Sequence, residues 1–358
     1  MLLDQLAGTG PAARNRVAMR FRAAPRFCVW ELTLACNARC VHCGSSAGRA
    51  RAHELDTAEA LGLCDELGRL GVERVTLSGG EPVLRPDLES IAKRLAGAGV
   101  TVDLISNGLA MSPERARRLA DAGVASVTLS VDGPAAIHDE LRGVAGGLSR
   151  LLRAASVLQS AGLPVGAATQ VCSRNLAVLD AIESCLVENG FAAWQLQLTG
   201  RLGRCRDNPE LALEPSDVGR VIAFILEVQR RGAIRAYAAD NIGWMLPCEP
   251  RLRSLRRPTD RFFAGCQAGL SVVGITSDGT IRGCLSMPPV LEEGNVRQRS
   301  LAELWSDPSL FAYNRAFVPE LLQGRCRDCP FARVCRGGCK SLAWAATGRL
   351  DHNPFCAK

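Results

Sequence analysis

Three cysteines fall within eight residues of the chain: Cys36, Cys40 and Cys43, in the run CNARCVHCG. No fourth follows nearby. A structural zinc site takes four protein ligands in a tetrahedron. His42 could be the fourth, but it adjoins Cys43 and would have to strain to reach the same ion. A [4Fe–4S] cluster held by three thiolates keeps one iron without a protein ligand, and that iron can chelate a small molecule. The Cys-x3-Cys-x2-Cys spacing by itself leaves zinc and iron–sulfur both open.

A second array lies near the C-terminus. It reads Cys266-x12-Gly279-x4-Cys284, then Cys326-x2-Cys329-x5-Cys335-x3-Cys339, then Cys356. On spacing this could be a pair of zinc ribbons, since Cys-x2-Cys is a common zinc half-site. Cys248 precedes the array. Cys28, Cys64, Cys172, Cys185 and Cys205 are isolated and read as small buried apolar side chains.

The chain of 358 residues is long enough for one barrel-sized domain or two to three smaller ones. Hydrophobic residues make up 47 % and charged residues 22 %, the balance of an ordinary globular protein. No apolar run approaches the 18 or so residues that span a bilayer. The first residues are basic (Arg14, Arg16, Arg20, Arg22) but have no apolar stretch of signal-peptide type. A cytoplasmic location is therefore expected, and there sixteen cysteines point to metal or redox chemistry rather than disulfides.

Strand and helix patterns alternate between these arrays. FCVWELTL (27–34), RVTLS (74–78), VDLIS (102–106), SVTLSVDGP (126–134), VGAATQVC (165–172) and AWQLQLTG (193–200) read as six strands, each followed by a helical pattern. Asp56 or Thr57 can cap the first helix, and Pro113 falls in the first turn of another. Six such units predict a parallel sheet with helices outside it. An open barrel and a doubly wound sheet fit equally. In either, polar residues just after the strands stand where α/β folds place their sites. Residues 241–265 read as a basic linker, extended around Pro247 and Pro250, with arginines 251, 253, 256, 257 and 261. GITSDGTIRGC (274–284) reads as a hairpin turning at Asp278-Gly279, and SLAELWSD (300–307) as a short helix.

Taken in order along the chain, these residues resemble the radical S-adenosylmethionine (radical SAM) enzymes. Cys36, Cys40 and Cys43, with His42 between them, match that superfamily's CxxxCxxC loop. Gly79, Gly80 and Glu81 in GGEP match its second motif, where backbone groups and a Glu receive the amino group of S-adenosylmethionine. Glycines permit close backbone approach, and a carboxylate pairs with an ammonium. Ser106 and Asn107, then Ser130 and Asp132, resemble the strand ends that hold the ribose and methionine parts. Arg142 matches the Arg that pairs with the cofactor carboxylate. The resemblance covers about residues 27–200. It implies a partial (β/α)6 barrel over 27–240, after an arm of residues 1–26, and a 5′-deoxyadenosyl radical that takes hydrogen from an unreactive C–H.

The C-terminal array, residues 266–358, resembles the SPASM domain of radical SAM maturases, with two auxiliary Fe–S clusters. The family pattern assigns Cys326, Cys329, Cys335 and Cys356 to one cluster and Cys266, Cys284 and Cys339 to the other. Cys248 is the expected fourth ligand of the latter. The implied cofactors are S-adenosylmethionine and three [4Fe–4S] clusters.

SPASM enzymes mostly modify peptides. The expected function is a peptide maturase that cross-links, oxidises or epimerises a ribosomally made precursor peptide, with a reductase, flavodoxin or ferredoxin as electron donor. The arm before the barrel is too short for a leader-binding domain, so recognition is expected from this arm, the linker or another protein, and the linker arginines are expected to bind an acidic leader. Two alternatives are an anaerobic sulfatase-maturing enzyme and a small-molecule radical SAM dehydrogenase. The first carries an Asp directly after the second SPASM cysteine, where this chain has Leu285. A non-enzymatic Fe–S or zinc protein on nucleic acid would use the net charge of +7, but 5 % aromatics give little base stacking.

Overall fold

The computed structural model describes residues 24–253 and 263–358. Seven parallel strands follow one another in space as in sequence: β1 (Phe27–Glu31), β2 (Arg74–Ser78), β3 (Thr101–Ser106), β4 (Val124–Ser130), β5 (Val165–Val171), β6 (Ala193–Leu198) and β7 (Arg235–Ala238). The first six are those expected from alternation. The seventh, RAYA, is only four residues long and too short to carry a readable period.

Helices cover the outer face. They are α1 (Thr57–Arg69), α2 (Leu88–Gly97), α3 (Pro113–Asp121), α4 (Ala135–Arg142), α5 (Gly147–Ser160), α6 (Leu179–Glu188) and α7 (Val218–Arg231). Asp56 caps α1 reciprocally: its carboxylate accepts from the Glu59 N–H at 2.9 Å, and Glu59 accepts from the Asp56 N–H at 2.9 Å. Pro113 opens α3 behind a Ser112 cap.

Alternation along the strands decides what faces inward. On β6, Trp194, Leu196 and Leu198 are buried, while Gln195 and Gln197 share the opposite face. The β5–β6 register sets Ala168 beside Gln195 and Gln170 beside Gln197.

The C-terminal region continues the same sheet. β8 (Val272–Ile275) pairs parallel with β1, Cys28 opposite Val273. β9 (Thr280–Arg282) returns antiparallel, and β10 (Gly294–Asn295) closes the order β10-β9-β8-β1 through β7. The expected hairpin turn is present: the Gly279 N–H donates to Thr276 O at 2.9 Å, with Gly279 at φ +85°. The boundary drawn at residue 266 therefore separates motifs, not sheets, and β1 has no open edge.

The linker also differs from expectation in its described part. Ile242, Trp244 and Met245 are buried, and α8 (Glu249–Leu252) replaces the extended loop. Pro250 sits in its first turn, where a missing N–H costs nothing. Arg253 is consumed internally: it donates to the carbonyls of Ala239, Ile242 and Gly243 at 2.7–2.8 Å and lies over the Phe263 ring. It is not free for a leader peptide. Arg251 is exposed. Arg256, Arg257 and Arg261, like the N-terminal arginines, lie outside the described residues. Among the described residues no helix is long and apolar enough to cross a membrane.

Candidate active site and cysteine clusters

The loop after β1 carries Cys36, Cys40 and Cys43 into a cavity of about 230 Å³. His42, Gly79, Gly80, Ser106, Asn107, Ser130 and Arg142 also line it. Glycine is required where β2 ends. A Cβ on Gly79, at φ +144°, would run into the Thr33 carbonyl, and one on Gly80 into the Ala35 carbonyl. The two backbones are bonded there: the Gly80 N–H donates to Thr33 O at 2.7 Å and the Glu81 N–H to Ala35 O at 2.8 Å. The second motif thereby fixes the path into the cysteine loop.

Each loop sulfur has a donor against it. The Ala38 N–H approaches Cys36 Sγ at 3.4 Å, and Asn107 Nδ2 does so at 3.8 Å. Arg142 Nη1 lies 3.8 Å from Cys40 Sγ, and the Ala47 N–H 3.4 Å from Cys43 Sγ. Burial first, with the nearby Glu81, Cys40 and Cys43, pushes the Cys36 thiol up to about 11 despite the Ala38 donor, and burial raises Cys40 despite Arg142. These donors oppose that shift, and ligation to iron would remove the proton outright.

Two predicted residues stand behind the cavity wall. Glu81 is fully buried and accepts from Ser106 Oγ at 2.8 Å, the Asn107 N–H at 2.7 Å and the Val83 N–H at 3.1 Å. It ties the end of β2 to that of β3. Burial pushes its carboxyl up, against those three donors. Asp132 is also fully buried, 2.5 Å from Arg142 Nη2 and 3.1 Å from His42 Nε2. Burial would raise its carboxyl, but Arg142 and His42 outweigh it and hold the group well below the usual range. His138, on α4, accepts from the Asp132 N–H at 3.2 Å, and burial lowers its imidazole to about 4. Asp132 thus fixes Arg142 against Cys40.

Sequence reading missed several residues here. Arg204 clamps the cysteine loop by donating to Cys40 O at 2.9 Å and Ala47 O at 2.6 Å. Gln170, Gln195 and Gln197 line the same cavity, and their side-chain amides make no hydrogen bond among the described residues. The signal was available: Q-L-Q on a strand puts two polar groups on one face.

The C-terminal cysteines lie in two neighbourhoods. Cys326, Cys329, Cys335 and Cys356 line one cavity of about 300 Å³ with Trp244 and Gly338. Cys339 feels Cys266 and Cys284, and Cys266 and Cys284 pack together with Tyr313. Cys248 is half-buried at the start of α8, with Glu249 and Arg251 as its charged neighbours. Among the described residues no three His, Cys, Asp or Glu side chains converge on a single-ion site. All-thiol sets are the donors that iron–sulfur clusters take. In the loop after β1, three free thiols with donors face backbone held open by glycine and the ends of β3 and β4. That donor set fits a cluster with one iron open to S-adenosylmethionine.

Comparison with known proteins agrees. Residues 30–179 match the radical SAM superfamily and residues 266–330 the SPASM iron–sulfur cluster-binding domain. An AdoMet-dependent heme synthase of Methanosarcina barkeri is 33 % identical over 93 % of this chain and 96 % of its own. The mycofactocin maturase MftC of Mycobacterium tuberculosis is 30 % identical over 94 % and 83 %. Streptococcus suis SuiB, solved with its precursor peptide SuiA, superposes with a TM-score of 0.75 over 97 % of this chain and 80 % of its own, at 17 % identity.

Proposed function

The chain belongs to the radical SAM superfamily and is an enzyme with a SPASM domain, and we propose that it abstracts hydrogen from a precursor peptide. Bound at Cys36, Cys40 and Cys43, the cluster and S-adenosylmethionine supply the hydrogen-abstracting chemistry. The protein's own residues do the rest. Asn107 and Arg142 place donors on the sulfurs, Asp132 holds Arg142, and Arg204 holds the loop. Cys326, Cys329, Cys335 and Cys356 would hold a second cluster. Cys266, Cys284 and Cys339 would hold a third, with Cys248 as its closing ligand.

One observation carries the peptide reading. Three uncharged carboxamides, Gln170, Gln195 and Gln197, line the same cavity as the loop cysteines. An amide both donates and accepts, so it matches peptide groups. The two guanidiniums in the lining are already engaged, Arg142 by Asp132 and Arg204 by backbone carbonyls. A polycarboxylate would find no unpaired cation among these lining residues.

A second reading rests on the end-to-end likeness to a heme synthase. It makes the substrate an iron tetrapyrrole. One assay separates the two. The reconstituted enzyme, with S-adenosylmethionine and reductant, is offered a small peptide encoded beside its gene or iron coproporphyrin III. The peptide is expected to change mass and to raise 5′-deoxyadenosine release. Conversion of the porphyrin instead would overturn the peptide reading.

A further inference from the structure

Tyr313, one of only two tyrosines in the chain, lies on α10 (Ala312–Arg315). Its hydroxyl is buried, and among the described residues no group accepts its proton. The side chain packs against the buried cluster of Cys266, Ala268 and Met287, as Cys284 and Leu291 also do, and against the main core. A buried O–H left without an acceptor is costly, and few native hydroxyls are placed so.

The surroundings hold the ring in place. Asn314 donates to Ala268 O at 2.8 Å and Arg315 to Gly269 O at 2.8 Å, which docks α10 onto the loop that follows Cys266. Gly283 directly precedes Cys284, and a Cβ there would collide with the Tyr313 hydroxyl. The Gly283 N–H also faces this oxygen. It would use a lone pair and leave the O–H proton free.

We propose that the Tyr313 hydroxyl donates a hydrogen bond to sulfur of the cluster held by Cys266, Cys284 and Cys339. This rests on the three-cluster reading above, but not on the identity of the substrate. Hydrogen bonds to cluster sulfur are among the factors that set its reduction potential. A donor favours the more negative, reduced form. Tyr313 is thus a positioning and tuning residue that makes this cluster a better electron acceptor than its cysteines alone would.

The test is redox titration followed by EPR on the fully reconstituted enzyme. Tyr313→Phe removes one oxygen and keeps the ring. Iron and sulfide content should stay the same, while the midpoint potential of one auxiliary cluster shifts to more negative values and those of the other clusters hold. Replacing both tyrosines with 3-fluorotyrosine strengthens the donor and should shift the same potential the other way, even where the Phe variant loads poorly. An intact cluster whose potential ignores both changes would overturn the proposal. Failure of the unsubstituted protein to load any auxiliary cluster would defeat the three-cluster premise instead.

Discussion

Around Cys36 and Cys40, side chains from elsewhere in the fold reach the sulfurs: Asn107 from the end of β3 and Arg142 from the end of α4. Around several C-terminal cysteines the donors come from one turn away: Ser286 for Cys284, the Gly338 N–H for Cys335, and the Ser341 hydroxyl, then the Leu342 N–H, for Cys339. The first arrangement is built by topology, because only a parallel sheet brings the ends of β1, β3 and β4 together. The second is built by local turns, and apolar groups such as Trp244, Leu322 and Ala332 close it off. A site assembled from strand ends has room for substrate and many ways to fail. A site assembled from its own turns suits electron transfer, and its pieces stand or fall together.

The sharpest way to break that comparison is to empty one region and watch the other. Replacing Cys36, Cys40 and Cys43 together by Ala should abolish S-adenosylmethionine cleavage. The C-terminal thiols use none of those donors, so iron bound there should persist. Iron counting beside a 5′-deoxyadenosine assay reads both halves. Cleavage that survives the triple change would remove the radical mechanism altogether.

A smaller loss is expected from the buried charges behind the loop. Asp132→Asn leaves Arg142 and His42 without their counter-charge, and breaking a buried pair this way costs about 3–5 kcal/mol. Thermal or urea unfolding should show that loss. His138 adds a pH signature. Its folded pKa, about 4, lies below the ordinary value of 6.5, so the unfolded chain binds the proton more readily. Its contribution is present above about pH 6.5 and falls away as pH drops toward 4, by roughly 3 kcal/mol. Asp132, with its pKa depressed, begins to lose its contribution only below about pH 4. His138→Gln should flatten the upper part of the acid limb and leave the lower part in place.

The two regions also differ in what could be read from sequence. The C-terminal sets came from the family pattern, since spacing alone allowed zinc ribbons as well; Cys326, Cys329, Cys335 and Cys356 line one cavity, and Cys266 and Cys284 belong to one cluster of side chains. The loop cysteines and the glycines after β2 stood out as short local motifs. The inward roles of Glu81 and Asp132 were not. A carboxylate after a strand can face the cavity or turn back into the wall, and that choice depends on Ser106, Asn107, His42 and Arg142, which arrive from other elements. Arg204 was invisible because nothing local marks an arginine that will cap carbonyls 157 and 164 residues away. The β7 strand was lost to its shortness, and the linker helix to an expectation that proline opposes helix everywhere.

The weakest expected effect concerns how a substrate reaches the open region. Five linker arginines looked equivalent in sequence, but Arg253 is buried in carbonyl contacts and over Phe263. Its substitution should unfold the segment rather than report on binding. Arg251 is exposed and is the described residue to test, together with Arg256, Arg257 and Arg261. Changing these four to Gln should weaken the affinity for an acidic leader peptide several-fold, on the order of 1 kcal/mol, since exposed ion pairs contribute ~0.2–1 kcal/mol each and not all four will engage. The affinity of the unsubstituted enzyme should also fall with added salt, because screening shortens to about 8 Å at 0.15 M. Isothermal titration at two salt concentrations, with both proteins, tests the two effects together. An affinity that ignores both the substitutions and the salt would mean that the leader is read elsewhere, and the carboxamide wall would then have to carry recognition alone.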